Sequence, residues 1–159
     1  MDYINANIFF KLKKTFRYCL MYGIKRTFVK IKGQYHMSKN FKILPTNNLK
    51  RNQKLILISI HSFNQKCFKE NRFIETGLLY NFHNLNLALK ILKKLEKFQV
   101  NLGNNYPYSG FFYNYTLDKH CNNNKIQNIS IEIRNDLIVN KKGIDKWTKI
   151  LTISLSNYD

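Results

Sequence analysis

The feature of this sequence that most constrains its fold is an uninterrupted apolar run, which begins at Leu55 and reads "LILISIHSF". Apolar residues at both odd and even positions are typical of a strand that is covered on both faces, as in a parallel or mixed sheet. The run ends in His61, Ser62 and Phe63. Open α/β sheets bind ligands at the carboxyl ends of their strands, so His61 is a candidate catalytic or metal-ligating residue. The alternative is a strand-end histidine whose polar tip reaches water.

The segments that follow alternate between strand and helix patterns. "FIETGLLYN" and "NISIEIR" predict two more strands, and "GNNYPYSGFF" predicts a turn-rich loop. "NLNLALKILKKLEKFQ" predicts an amphipathic helix capped by Asn84 or Asn86, and "KKGIDKWTKILTISL" predicts a closing helix. The residues expected to face the core are Leu85, Leu89, Leu92 and Leu95 in the first helix and Ile144, Trp147, Ile150 and Leu151 in the second. This order predicts an α/β protein.

The first third of the chain has a different character, basic and aromatic. Apolar residues at near-helical spacing predict an amphipathic helix that ends near Gly23; they are Ile8, Phe9, Leu12, Phe16 and Leu20. Residues 34–52 predict a second short helix, which includes His36 and stops at Pro45. We therefore divide the chain into a divergent basic segment, residues 1–50, and an α/β domain, residues 51–159.

The charge balance raises the question of an anionic partner. The 159 residues include 27 Lys and Arg against 9 Asp and Glu, a net charge of +18. Such a charge favours nucleic acid or an acidic membrane surface as a partner. The chain is also rich in Lys, Asn, Ile, Phe and Tyr, whose codons are AT-rich, so drift in base composition explains the same charge. One functional hypothesis is therefore a basic RNA-binding or ribosome-associated protein of an AT-rich or organellar genome, which stays as the alternative to the enzymatic hypothesis below.

Cysteine use and hydropathy favour the cytoplasm. The three cysteines form no CxxC pair and no even framework, which fits a reducing compartment. No apolar segment approaches the roughly 18 to 20 residues that a membrane span needs. Asp2 and scattered basic residues make the first residues a poor signal peptide.

A charged pair stands near the end of the third predicted strand. The two-residue period of "ISIEIR" puts Glu132 and Arg134 on the same face. One interpretation is a structural ion pair. The other is a general base beside a cation that binds a substrate carboxylate, which hydrolysis of an acidic substrate would need.

Six motifs follow one another between about Lys54 and Leu155. They are "HSF" at 61–63, Arg72, "GLLYN" at 77–81, "GNNYPYSG" at 103–110, "YTLDKH" at 115–120 and "EIRNDLI" at 132–138. In this order they resemble the C-terminal half of the N-formylglutamate amidohydrolase family. The resemblance implies a partial three-layer α/β sheet of the zinc-carboxypeptidase-like, or phosphorylase/hydrolase-like, type.

The resemblance also implies a chemistry. It implies zinc-dependent hydrolysis of an acidic small molecule, N-formylglutamate, to formate and glutamate in histidine breakdown. His61 matches a zinc ligand, and Glu132 matches the glutamate that takes a proton from the zinc-bound water. The positions that match substrate-binding residues are Arg72, Arg134, Asn105, Tyr108 and His120.

The chain departs from the family pattern in two places. The first zinc ligands are expected in an N-terminal half that has no match here, which implies a truncated or split form with impaired activity. A separate chain that supplies the missing half is therefore an expected partner. Within the loop, Asn104 and Tyr106 stand where the family has an aspartate and a glutamate.

Overall fold

The apolar run at residues 55–63 forms a central strand of a mixed sheet. The computed structural model describes residues 26–31, 34–38, 55–67, 70–114, 117–118, 121 and 126–156. Its strands are β1 (Arg26–Ile31), β2 (Gln34–Ser38), β3 (Leu55–Phe63), β4 (Lys66–Cys67), β5 (Glu70–Asn71), β6 (Thr76–Leu79), β7 (Leu102–Asn104) and β8 (Gln127–Arg134). Its helices are α1 (Leu85–Glu96), α2 (Gly110–Tyr113) and α3 (Lys141–Ser154), with 3-10 turns at Phe82–Asn84 and Asn135–Ile138.

Six of these strands form one sheet in the order β2-β1-β3-β8-β6-β7. The pairs β3–β8 and β6–β7 are parallel, and the other neighbours are antiparallel. Strands β4 and β5 form a separate two-stranded ribbon. A mixed sheet with helices confirms the α/β prediction.

The two faces of the sheet are covered by different layers. Alternate residues of β3, beginning with Ile56 and Ile58, belong to a core cluster that includes residues of both α1 and α3. On the other face, Leu57 packs with Leu117 and Cys121. Burial on both sides explains the apolar run, because residues 56–60 are buried at odd and even positions alike, and the strand reaches water only at His61 and Ser62.

In the closing helix the residues predicted to face the core are buried. In the first helix the buried side differs from the predicted one. Ile144, Trp147, Ile150 and Leu151 are all buried in α3. In α1 the buried positions are Leu87, Ala88, Ile91, Leu92 and Leu95, while Leu85 and Leu89 are 39% and 49% exposed. The expectation that Leu85 and Leu89 face the core is therefore wrong. The apolar stripe at i, i+1, i+4, i+5 and i+8 runs through Ala88 and Ile91, which lie between the leucines.

The predicted short helix that includes His36 is also wrong. Residues 34–38 form β2, which pairs antiparallel with β1, and β1 pairs antiparallel with β3. This hairpin supplies hydrogen-bond partners along the side of β3 that faces away from β8, and an unpaired strand edge would otherwise remain there. The predicted helix ending near Gly23 and the loop at Pro45 lie outside the described residues.

Asparagine side chains join the helical segments to the sheet. Asn84 occupies the N-cap position of α1 as predicted, but its side chain makes no capping hydrogen bond. Its Oδ1 instead accepts from the backbone N–H of Asn128, and its Nδ2 donates to Asn81. Asn114 donates to the Leu79 carbonyl and accepts from Ser130. These amides hydrogen-bond to one another, to the backbone and to Ser130, and Asn81 also donates to the carboxylate of Asp118, as most buried polar groups do.

Cys121 lies in the small apolar cluster with Leu57 and is fully buried. Burial raises the pKa of its thiol to about 12, and the nearby Asp118 carboxylate acts in the same direction. Partial burial also raises the pKa of Asp118 itself. Cys67 is half-buried. No helix among the described residues is long and apolar enough to cross a membrane.

We expect alkylation to distinguish these two thiols. At pH 8 only about one Cys121 side chain in ten thousand is a thiolate, and the thiolate is the nucleophile. Iodoacetamide should therefore modify Cys67 in the native protein and Cys121 only after unfolding in urea, as measured by peptide mass spectrometry. Equal labelling of both thiols in the native protein would show that residue 121 is not packed beneath the sheet.

Candidate functional site

The centre of the candidate site is a histidine–glutamate pair on adjacent parallel strands. The β3–β8 register sets His61 opposite Glu132, so both side chains project from the same face. His61 Nδ1 lies 3.8 Å from Glu132 Oε1, and the side chains are 19% and 8% exposed. The sequence therefore placed His61 correctly at the carboxyl end of a strand, and the structure adds a carboxylate beside it.

The second ring nitrogen of His61 faces a hydroxyl group. Nε2 lies 2.6 Å from the Oγ of Ser59, which is two residues earlier on the same face of β3 and is buried. The imidazole is therefore held between a hydroxyl and a carboxylate. Sequence reasoning missed Ser59, although its position two residues before His61 in a strand was a usable signal.

The predicted zinc site is not complete in this arrangement. A catalytic zinc takes three protein ligands. Within the described part of the chain, no group of three or more His, Cys, Asp or Glu residues could hold a metal ion. His61 meets Ser59 and Glu132 through its two nitrogens, so the described residues alone do not fit zinc.

Arg72 and Tyr108 form a second group next to Phe63, which lies two residues after His61 on the same face of β3. The Arg72 guanidinium lies over the rings of Phe63 and Tyr108, at 5.7 and 5.0 Å from their centroids. Its Nη1 donates to the Tyr108 hydroxyl at 3.0 Å. Partial burial opposes the charge of Arg72, but the hydrogen bond to Tyr108 and nearby titratable side chains outweigh it, so its pKa is raised above the ordinary value. Phe63 follows His61 by two residues, which sets this group beside the histidine–glutamate pair.

Arg134 has a different environment from Arg72. Its Nε and Nη2 donate to the two carboxylate oxygens of Asp136 at 2.7 and 3.1 Å. Its Nη1 donates to three successive carbonyl oxygens, those of residues 72–74, at 3.1 to 3.2 Å. These contacts engage most of the donors of the guanidinium and hold the segment that carries Arg72.

Asn105 ties the "GNNYPYSG" loop to the sheet. Its N–H donates to the Leu78 carbonyl, and its Oδ1 accepts from the N–H groups of Tyr80 and Gly110. Its φ is +50°, a left-handed value that asparagine tolerates better than most residues. The amide oxygen of Asn105 therefore shapes the loop in this structure.

The loop can descend onto the sheet because of Gly77. This residue pairs with Glu132 across β6 and β8, and a Cβ atom here would overlap the carbonyl oxygen of Tyr106. Gly103, on β7, meets the same carbonyl oxygen. The loop backbone therefore lies against the strand next to Glu132. His120, the remaining predicted substrate-binding residue, lies outside the described residues.

Comparison with known proteins identifies the family. The site and the sheet together define an α/β protein with a histidine–carboxylate pair and an arginine on one face of its sheet. The family model described as N-formylglutamate amidohydrolase matches residues 44–139, so the chain belongs to that family. A search of the curated proteins found no match.

A solved structure supports the same relationship. The gene product Atu2144 from Agrobacterium tumefaciens is similar to this chain, with 28% sequence identity and a TM-score of 0.59. The match covers 64% of this chain and 41% of that protein. The chain therefore spans less than half the length of this relative.

We expect Arg134→Lys to destabilise the protein more than Arg72→Lys. A lysine cannot reproduce the two-pronged contact with Asp136 together with the contacts to the 72–74 carbonyls. The free energy of unfolding should fall by about 1–3 kcal/mol for Arg134→Lys and by less than about 1 kcal/mol for Arg72→Lys, measured by urea denaturation. Equal effects would mean that Arg134 does not anchor this segment.

Proposed function

We propose that this chain carries part of the active site of an amidohydrolase that acts on N-formylglutamate or a similar N-acyl acidic amino acid. The observation that carries the proposal is the His61–Glu132 pair beside the Arg72–Tyr108 group. Family membership supports it, because hydrolysis of such a substrate needs both a base and a cation. Among the described side chains no carboxylate forms an ion pair with Arg72, so its charge is available to a substrate carboxylate.

In this proposal Glu132 is the general base. It takes a proton from a water molecule whose oxygen attacks the formyl carbon. The bond between that carbon and nitrogen breaks, and the proton passes to the leaving amine, so that formate and glutamate form. Glu132 is buried beside His61, so it stands where this proton transfer would take place.

Arg72 and Tyr108 bind the substrate carboxylate in this proposal. A planar guanidinium already stacked on two aromatic rings is oriented for a carboxylate before the substrate arrives. We assign Arg134 and Asn105 to positioning these groups, because both are engaged with the backbone of the site. His120 remains a proposed substrate contact on the strength of the motif alone.

We further propose that His61 is one ligand of a zinc ion whose other ligands come from outside the described residues. They would come from other parts of the polypeptide or from a separate chain that supplies the N-terminal half. Zinc would supply a polarised carbonyl and a more acidic water. The proposal includes a zinc-carboxypeptidase-like three-layer fold, a cytoplasmic location, a role in histidine breakdown, and low activity in the isolated chain.

The first test is formate release from N-formylglutamate. We expect Glu132→Gln to abolish it, because an amide cannot accept the proton, and Glu96→Gln to leave it unchanged. Glu96 is a matched control, because it makes the same change on the exposed side of α1. Arg72→Lys should raise KM by about 10- to 100-fold through loss of the planar contact with the carboxylate.

This test has a clear contrary result. If Glu132→Gln released formate as fast as the wild type, the proposed role of Glu132 would be wrong. If the wild-type chain supplied with zinc released none, the active site would need residues that the isolated chain lacks.

The second test is zinc stoichiometry, measured by atomic emission on the purified chain. We expect about one zinc ion per chain in the wild type and in Glu132→Ala, and none in His61→Ala. His83→Ala is the matched control, because His83 is exposed on the 3-10 turn before α1. Zinc content that falls equally in both histidine variants would contradict a ligand role for His61. No zinc in the wild type would mean that this polypeptide does not supply the other ligands, and that they come from a separate chain.

A further inference from the structure

The outer surfaces of α1 and α3 form a basic face that the proposed amidohydrolase chemistry does not use. Both helices cover the same side of the sheet and share one core cluster. The exposed lysines of this two-helix face are Lys90, Lys93, Lys97, Lys141, Lys142, Lys146 and Lys149. Lys94 is half-buried and donates to the carbonyl oxygen of Ser156, which links the two helices. The acidic residues on the same helices are Glu96 and Asp145.

Several of these lysines repel a neighbouring charge, although Lys93 and Lys94 stand in the last turn of α1, where the helix dipole favours positive charge. Lys93 and Lys97 are four residues apart on α1, as are Lys142 and Lys146 on α3. Like charges at this spacing repel each other on a helix surface. Lys141 and Lys142 also occupy the first turn of α3, where the helix dipole disfavours positive charge. A bound polyanion would relieve all of these repulsions.

We propose that the two-helix face binds a nucleic-acid duplex through its phosphates, without reading its bases. Lysine side chains are flexible point charges that suit phosphate contacts of this kind. No exposed aromatic side chain stands on α1 or α3, and single-strand binding depends on such side chains for base stacking. These lysines belong to the segment assigned to the α/β domain, residues 51–159, and not to the basic segment of residues 1–50.

A membrane surface fits this face less well. A helix that lies in a lipid interface buries its apolar side among the acyl chains. The apolar sides of α1 and α3 are already buried against the sheet, through residues such as Ile91, Leu95 and Trp147. Only Leu85, Leu89 and Ile153 are large exposed apolar residues on these helices, so they offer charge with little apolar surface to insert.

The test compares two variants of the full chain with the same net charge. The first carries Lys90→Gln, Lys93→Gln, Lys146→Gln and Lys149→Gln on the two-helix face. The second carries Lys11→Gln, Lys13→Gln, Lys14→Gln and Lys32→Gln in the N-terminal segment. Binding to a fluorescein-labelled duplex of about 20 base pairs is measured by anisotropy over a range of salt concentrations. Circular dichroism confirms that both variants remain folded.

We expect the first variant to bind at least about tenfold more weakly than wild type and the second to bind within about threefold of it. The slope of log K against log salt concentration should become shallower by about 3.6 in the first variant only, because each of its four lost phosphate contacts removes about 0.9 from it. A labelled single strand of the same length should bind more weakly than the duplex.

Four results would overturn the proposal. They are no duplex binding by the wild type at low salt, equal weakening in both variants, tighter binding of the single strand, and lysine-dependent binding to vesicles containing about 30% phosphatidylserine without duplex binding. The formate assay is independent of these outcomes, since none of the four substituted lysines lies in the His61–Glu132 site.

Discussion

The parallel pairing of β3 with β8 is the constraint on which the rest of the structure depends. It sets His61 opposite Glu132 and Ser59 opposite Ser130 on one face of the sheet. The isoleucines between them point to the other face and pack against α1 and α3. A slip of one residue would exchange the two faces and bury the polar set in the apolar core. The geometry of the site is therefore maintained by the apolar packing on the opposite side of the sheet.

Backbone contacts then complete the surroundings of this pair. Arg134 binds the carbonyl oxygens of residues 72–74 and so orients the segment that presents Arg72. On the neighbouring strand, Gly77 leaves room for the carbonyl group of Tyr106. In both places a residue within a sequence motif contacts backbone carbonyl groups of another segment and so fixes the position of that segment. Residues in a functional motif can therefore serve the site without touching a ligand.

The parts of this fold that could be predicted from sequence are those with a strong local pattern. Residue type and spacing predict burial in three segments: the run at 55–63, the apolar stripe around Trp147 and the strand at 127–134. The β1–β2 hairpin was missed, although β1 reads RTFVKI and is rich in the β-branched and aromatic residues that favour strands. For the candidate site, motif order selected His61 and Glu132, which the structure sets opposite each other. The partners of Arg134 are backbone carbonyls, which leave no signature in the sequence.

The asparagine network has a consequence for how the protein responds to its solution. Asn84, Asn114 and Ser130 join the strands to the segments that cover them through amide and hydroxyl groups, which carry no charge and do not titrate. Changes of ionic strength or acidity that alter a protein with a net charge of +18 therefore leave the Asn84–Asn128 and Asn114–Ser130 links unchanged, and within this network only the contact of Asn81 with the Asp118 carboxylate depends on a titrating group. The surface charges respond to salt and pH, whereas the neutral hydrogen bonds between the sheet and its covering segments do not. The outer face can therefore gain or lose counterions without a change in these internal contacts.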